Sequence, residues 1–353
     1  MKQSTLVTAL AGVAAAAVFA SMLKRRARRL DLRGRVAVVT GGGRGLGLAI
    51  TRELLARGCR VAICGRESAL IERSTSALRA QGFEVFGMAC DASSANQVEV
   101  FVRAVIERYG KIDLLVNNAG QCFVGPAAEL SPSDMEKALR NIFWVHYHPT
   151  AAVLPHMRSR LFGRIANITS FAGIVPVPHQ AAYVAGKYAA TGWSRTLGIE
   201  LRKEGVLVST ITPPPLRDGA PLYVHFNGEV EGEFSWFTWA LTSHLTSATA
   251  ETTARVVVDA LEHGDRERAV TPMSWLFSRA YGAAPDLVSR ILGWIERGMP
   301  PTQTPGAFSP MMLGFQIAHE SSDPGVQRLA RRAEADAAKY RPPSQRPPEP
   351  AKS

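Results

Sequence analysis

Residues Arg35–Gly47 read RVAVVTGGGRGLG, and the order of residue types in this stretch decides the fold. Val36–Thr40 is an apolar run without alternation, the pattern of a strand buried on both faces. A glycine turn follows, and a helical pattern opens at Leu46. Glycine takes positive φ without penalty and lets backbone approach a diphosphate closely. The helix behind it presents free N–H groups and the positive end of its dipole to an anion. The strict G-x-G-x-x-G spacing is absent and T-G-x-x-x-G-x-G stands in its place. Thr40, Gly41, Gly43, Arg44, Gly45, Leu46 and Gly47 are therefore candidate cofactor contacts.

On the C-terminal side of this stretch, short apolar runs alternate with helical stretches. Arg60–Cys64, Phe83–Ala89, Ile112–Val116, Arg164–Thr169 and Val206–Ile211 read as strands. Helices are expected over 45–58, 67–81, 94–109, 131–160 and 181–203. This alternation predicts an α/β fold, a doubly wound parallel (Rossmann-like) sheet with helices on both faces. Ser131-Pro132-Ser133-Asp134 offers an N-cap serine, proline at N1 and an acid at N3. Residues 212–250, rich in Pro, Gly and aromatics, are expected to be an irregular insertion over the substrate. A helix (249–263), a short strand (269–272) and one amphipathic helix (275–297) follow. The expected organisation is a leader (1–34), a catalytic domain (35–272), a helical extension (273–325) and a disordered, basic, Pro-rich tail (326–353).

The second strand bears on the choice of nucleotide. An NAD site needs an acid at that strand's end for the ribose 2′-hydroxyl. Here the end reads Cys64-Gly65-Arg66, and Arg44 lies in the glycine turn. Two guanidiniums favour a 2′-phosphate, so NADP(H) is preferred over NAD. Further along, Tyr183-Val184-Ala185-Gly186-Lys187 sets a phenol and an ammonium four apart on one helix face. Ser170 lies thirteen residues upstream at a strand end. A phenol of pKa near 10 is a poor acid or base at pH 7, and a neighbouring ammonium lowers that value.

With these elements together, the chain resembles the classical short-chain dehydrogenase/reductase family over about residues 35–272. The resemblance rests on TGGGRGLG (40–47), CDAS (90–93), NNAG (117–120), Ser170 and YVAGK (183–187). It implies an NAD(P)-dependent oxidoreductase acting on CH–OH groups, and a homo-oligomer. It implies Tyr183 as general acid/base and Ser170 as the hydrogen-bond partner of the substrate oxygen. Lys187 would bind the nicotinamide ribose and lower the phenol's pKa. Asp91 would hold the adenine amino group with Ala92 beside it, and Asn118, Ala119, Gly120 and Pro213 would line the cofactor cleft. Two positions depart from the pattern. The family's fourth catalytic residue is an Asn thirteen residues before a Leu-Pro-His turn; counting back from Pro155 gives Ile142, with Asn141 one position early. One residue on a regular helix turns a side chain by about 100°. The Pro-Gly expected after the sixth strand reads Pro213-Pro214-Pro215, and the Thr that follows is displaced by Asp218.

The net charge of +11 sits outside the catalytic body, because residues 36–324 carry 26 basic and 26 acidic side chains. That distribution argues against a nucleic-acid partner. Four cysteines without paired spacing exclude a disulfide scaffold, and no His/carboxylate cluster predicts a metal. Leu6–Leu23 is an 18-residue run without charge, followed by the basic collar KRRARRLDLRGR. An N-terminal anchor, a peripheral leader and a cleaved signal all start from such a run. Basic residues after it rather than before favour the anchor, with the catalytic domain on the cytoplasmic side. Phe226, Phe234, Trp236, Phe237 and Trp239 in the insertion read either as a packed lid or, the preferred reading, as a pocket for a small lipophilic substrate. The expected function is NADP(H)-dependent transfer of hydride between nicotinamide and a hydrophobic ketone/alcohol pair. The alternative is a nucleotide-binding scaffold or sensor with weak or no catalysis.

Overall fold

Seven parallel strands form the central sheet: β1 (Val36–Thr40), β2 (Arg60–Gly65), β3 (Val85–Ala89), β4 (Leu114–Asn117), β5 (Gly163–Ile168), β6 (Val206–Thr212) and β7 (Glu267–Ala269). Their order is β3-β2-β1-β4-β5-β6-β7, the doubly wound arrangement expected from the alternation. The structure is a computed structural model, and it describes residues 25–243, 247–302 and 308–341. One face is covered by α1 (Gly45–Ala56), α2 (Ser68–Ala80) and α8 (Ala250–His263), whose Leu54, Ile71 and Val257 pack on Val39 and Ile63. The other is covered by α3 (Ala95–Tyr109), α5 (Val145–Ser159) and α6 (Ala181–Glu200). The predicted N-cap of α4 (Pro132–Leu139) is present, with Ser131 Oγ accepting the Asp134 N–H at 3.1 Å.

The expected helix over 131–160 is interrupted. Between α4 and α5, Arg140–Trp144 form a π-helical turn, which inserts one extra residue into the helix. The expected helix over 275–297 is two helices, α9 (Pro272–Ala283) and α10 (Pro285–Glu296). Pro285 excludes the helical region for the residue before it, and Ala284 sits at φ −144°, ψ 66°. Much of this hairpin's apolar surface, including Trp275, Leu287 and Trp294, is exposed.

Two further expectations are corrected. The insertion contains a regular helix, α7 (Val230–Thr242), and the tail expected to be disordered from 326 forms α12 (Pro324–Lys339) after the short α11 (Gly314–Glu320). Val326, Ala330, Ala333 and Ala337 make a stripe on α12 that packs against Phe226, Phe234 and Phe237, and this second core caps the sheet. The approach is close enough that a Cβ on Gly219 would lie 2.3 Å from the Ala337 Cβ. Residues 342–353 of the expected tail lie outside the described residues.

The apolar run Leu6–Leu23 also lies outside them. No helix among the described residues is long and apolar enough to cross a membrane. Part of the basic collar is committed to the body: Arg25 pairs with Asp259 and Asp265, and Arg29 pairs with Glu262 at 2.9 Å. These two arginines of the expected leader are thus tied to the body.

Candidate active site

Where the strand order reverses, between β1 and β4, the crevice beyond the strand ends opens into a cavity of about 900 Å³. The glycine turn is one wall, contributed by Gly41, Gly43, Arg44, Gly45, Leu46 and Gly47. Thr40, expected to touch the cofactor, lies buried beneath that wall. Its Oγ1 accepts the N–H groups of Asn118 and Ala119, both at 3.0 Å, and ties β1 to the loop after β4. A Cβ on Gly47 would meet the Gly41 carbonyl oxygen at 2.0 Å, so the turn closes only around a glycine. Arg66, Asp91, Ala92, Asn118, Ala119, Gly120 and Pro213 continue the lining. The Asp91 carboxylate accepts the N–H and hydroxyl of Ser93, at 2.9 and 2.8 Å.

Opposite stand the acid/base candidates. Ser170 Oγ accepts the Ala172 N–H at 3.1 Å, and Ser170 shares a hydrogen bond with the Tyr183 phenol. Lys187 Nζ donates to the Ile168 carbonyl at 3.0 Å and lies 5.7 Å from the centroid of the Tyr183 ring. Burial dominates both titrations. It pushes the Lys187 ammonium down to about 8, and it raises the Tyr183 phenol well above its ordinary value, with the Ser170 hydrogen bond pulling the other way. Among the influences on the Tyr183 phenol, loss of solvation is the largest and the net direction is upward.

The π turn resolves the offset of Asn141. Its extra residue brings Asn141 onto the cavity wall, where Oδ1 accepts Arg66 Nη1 at 3.5 Å and the backbone carbonyl accepts the Gln121 N–H at 3.2 Å. Ile142 is fully buried against Gly186 instead. A Cβ on Gly120 would stand 3.8 Å from the Asn141 carbonyl oxygen and 4.0 Å from Lys187 Nζ, so the missing side chain keeps the space between them open.

The remaining wall is apolar: Trp236, Phe237 and Leu241 from α7, and Phe277, Ile291 and Ile295 from the α9–α10 hairpin. The Trp236 indole is fixed by Glu233, whose Oε2 accepts its Nε1–H at 2.6 Å while Oε1 pairs with His179 Nδ1 at 2.5 Å. Glu233 is completely buried, and His179 holds φ +58°, a conformation non-glycine residues rarely adopt. Removing one partner of a buried pair leaves the other uncompensated. We expect Glu233→Ala to cost about 3 kcal/mol and lower the melting temperature by several degrees, measured by thermal denaturation, with Glu233→Gln losing less.

A dinucleotide fits this cavity in its glycine turn, its open position at Gly120 and the guanidiniums of Arg44 and Arg66. Two anion donors at the start of α1 are, however, engaged by the capping core. The Gly45 N–H donates to the Tyr340 carbonyl at 3.1 Å, and the Leu46 N–H donates to the Asp218 carboxylate.

A family profile described as short chain dehydrogenase matches residues 35–220. The chain belongs to the short-chain dehydrogenase family. A Streptomyces coelicolor relative described as a ketoacyl reductase is 40% identical over 184 residues, covering 50% of this chain and 69% of the relative. A granaticin polyketide synthase protein of Streptomyces violaceoruber, also described as a ketoacyl reductase, is 36% identical over 180 residues, covering 50% and 66%. Among solved structures, a variant of actinorhodin polyketide ketoreductase with NADPH aligns with a TM-score of 0.59 and 30% identity, over 67% of this chain and 95% of that one.

Within this family's fold the structure brings together Ser170, Tyr183, Lys187, Asn141 and the glycine turn around one cavity. Thr40 is the one predicted contact left behind it. Tyr223, Glu233, Tyr340 and Arg341 escaped the sequence reading. They come from the lid and the C-terminal segment, and no local motif marks them.

Proposed function

We propose that this chain is an NADP(H)-dependent oxidoreductase interconverting a hydrophobic ketone and its alcohol, with Tyr183 as general acid/base. The observation that carries this reading is the single cavity on which Ser170, Tyr183 and Lys187 face the glycine turn across an aromatic lid. When bound, the nicotinamide supplies or accepts the hydride. Arg44 and Arg66 hold the 2′-phosphate, and the glycine turn holds the diphosphate. Ser170 orients the substrate carbonyl oxygen, and the Tyr183 phenol gives it a proton. Burial keeps the Tyr183 phenol protonated, the form that the reductive direction requires, and the charge of a bound nicotinamide and the Lys187 ammonium would have to ease its proton transfer. The relatives described as ketoacyl reductases support a carbonyl substrate. NADPH oxidation followed against a panel of ketones of rising apolarity tests the reading. Turnover should exceed that with NADH and increase with apolar bulk; no turnover with any ketone overturns it.

Asp218 gives a second, pH-dependent expectation. Burial raises its carboxyl to about 6; Arg44 and the N–H groups of Leu46 and Ala220 stabilise the anion, while Asp336 opposes it. Above that value an anion sits where a diphosphate must bind, and protonation removes the repulsion. NADH affinity, measured by calorimetry, should strengthen by up to about tenfold per unit as pH falls toward 6. Asp218→Asn should flatten the dependence.

The same contact favours an alternative, a nucleotide-regulated scaffold with weak catalysis. NADPH binding without turnover on the panel would select it. Residues 6–23 are proposed to anchor the chain in a membrane with the catalytic domain on the cytoplasmic side. Carbonate extraction tests this, and release into the soluble fraction counts against a spanning segment. The exposed aromatics Trp144, Tyr147 and Tyr188 fit a homo-oligomer, which light scattering of the detergent-solubilised chain would read.

A further inference from the structure

The C-terminal segment reaches the glycine turn from the far end of the chain. After α12, the Tyr340 carbonyl accepts the Gly45 N–H at 3.1 Å, which fixes the next residue, Arg341, at the rim of the cavity. The Arg341 guanidinium hydrogen-bonds the Tyr223 hydroxyl at 2.5 Å and lies 5.6 Å from the centroid of that ring. Arg44 of the glycine turn lies over the same ring at 3.8 Å. Two guanidiniums from opposite ends of the sequence thus converge on one aromatic side chain beside the start of α1. Like charges brought together in this way repel unless an anion lies between them. The acids in contact nearby are Glu67, 3.2 Å from Arg44, and Asp218, whose carboxylate is held by the backbone of Leu46 and Ala220. Arg341 Nε is buried and makes no hydrogen bond among the described residues. A buried N–H without a partner is uncommon, and a phosphate oxygen is a natural acceptor for a guanidinium.

We propose that Arg341, with Arg44 and Tyr223, forms a phosphate clamp that completes the cofactor site from the C-terminal segment. The inference rests on the NADP(H) reading above. The chemistry recognised is a phosphate of the dinucleotide, either the 2′-phosphate or the diphosphate, and the pairing of NADPH with NADH separates the two. Tyr223 serves as a platform that keeps both guanidiniums facing the turn, because each stacks on or bonds to its ring. The clamp also gives the capping core a role in binding, since α12 fixes where Arg341 stands.

The test is titration of the full-length chain, wild type against Arg341→Met and Arg341→Lys, with NADPH and with NADH, by nucleotide fluorescence. Loss of one charge-assisted contact should raise the Arg341→Met dissociation constant about tenfold, with Arg341→Lys closer to wild type. Weakening confined to NADPH assigns the clamp to the 2′-phosphate, and equal weakening for both nucleotides assigns it to the diphosphate. Unchanged binding of both nucleotides by Arg341→Met overturns the clamp. Wild-type chain that binds neither nucleotide, or prefers NADH, overturns the cofactor reading itself and is read independently of the variants. Unaltered thermal unfolding of Arg341→Met separates a lost contact from a disturbed fold.

Discussion

Tyr183→Phe should lower kcat for ketone reduction by about 10³-fold while leaving the dissociation constant of NADPH within about twofold. The substitution removes one oxygen and keeps the ring. The phenyl group still packs against the cluster of Phe123, Ala138, Ile142 and Ala182, so packing is preserved. Ser170 Oγ keeps the Ala172 N–H, and Lys187 keeps the Ile168 carbonyl, so neither neighbour is stranded. What disappears is the phenol proton proposed to pass to the carbonyl oxygen. Lys187 does not replace it, because its ammonium lies on the ring side and is turned toward Ile168. A transition-state role predicts that kcat and kcat/KM fall together with little change in nucleotide affinity. Single-turnover NADPH oxidation, with the melting temperature as control, measures this. Activity within tenfold of wild type would remove Tyr183 from the mechanism.

The elements that could be read in advance are those whose signal is local. A strand buried on both faces leaves an unbroken apolar run, and a βα phosphate turn leaves glycines at fixed spacing, so β1–β6 and the cavity's first wall were legible in order. The break at Ala284-Pro285 was also written locally, but the apolar periodicity on both sides masked it. The π turn leaves no such mark. Asn141, Ile142, Phe143 and Trp144 suit either helical frame, and only the packing of Ile142 on Gly186 selects the one that delivers Asn141 to the cavity. The α12 stripe is three alanines and a valine, too weakly apolar to announce burial, although close backbone approach at Gly219 requires small residues there. The partners of two basic residues were hidden for a different reason. Arg25 and Arg29 read as a membrane-facing collar because their partners, Asp259, Glu262 and Asp265, lie more than 200 residues away. The contact of Gly45 with Tyr340 was hidden in the same way.

Gly47→Ala is expected to weaken NADPH binding by about 100-fold, or about 2.7 kcal/mol, and Gly43→Ala much less. Both glycines lie in the same turn, and the difference is in what an added methyl meets. At Gly47 it would stand 2.0 Å from the Gly41 carbonyl oxygen and 2.6 Å from Asn118 Nδ2. The first is backbone. The second belongs to a side chain already pinned to the Thr40 carbonyl at 3.0 Å. Neither yields without opening the join between the glycine turn and the loop after β4, so α1 must shift and its first N–H groups move with it. At Gly43 the methyl would meet the terminal Ile71 Cδ1 at 3.0 Å, which can turn aside, and Leu70 Cγ only at 3.4 Å, an ordinary contact. Overpacking of a rigid site costs about 1–3 kcal/mol in stability as well, so Gly47→Ala should also melt earlier. Nucleotide titration and thermal unfolding of the two variants side by side give the comparison. Equal losses at both positions would mean that the turn's glycines serve backbone freedom rather than close approach. A loss concentrated at Gly47 makes the contact between the turn and Asn118 the feature that sets where the diphosphate can lie.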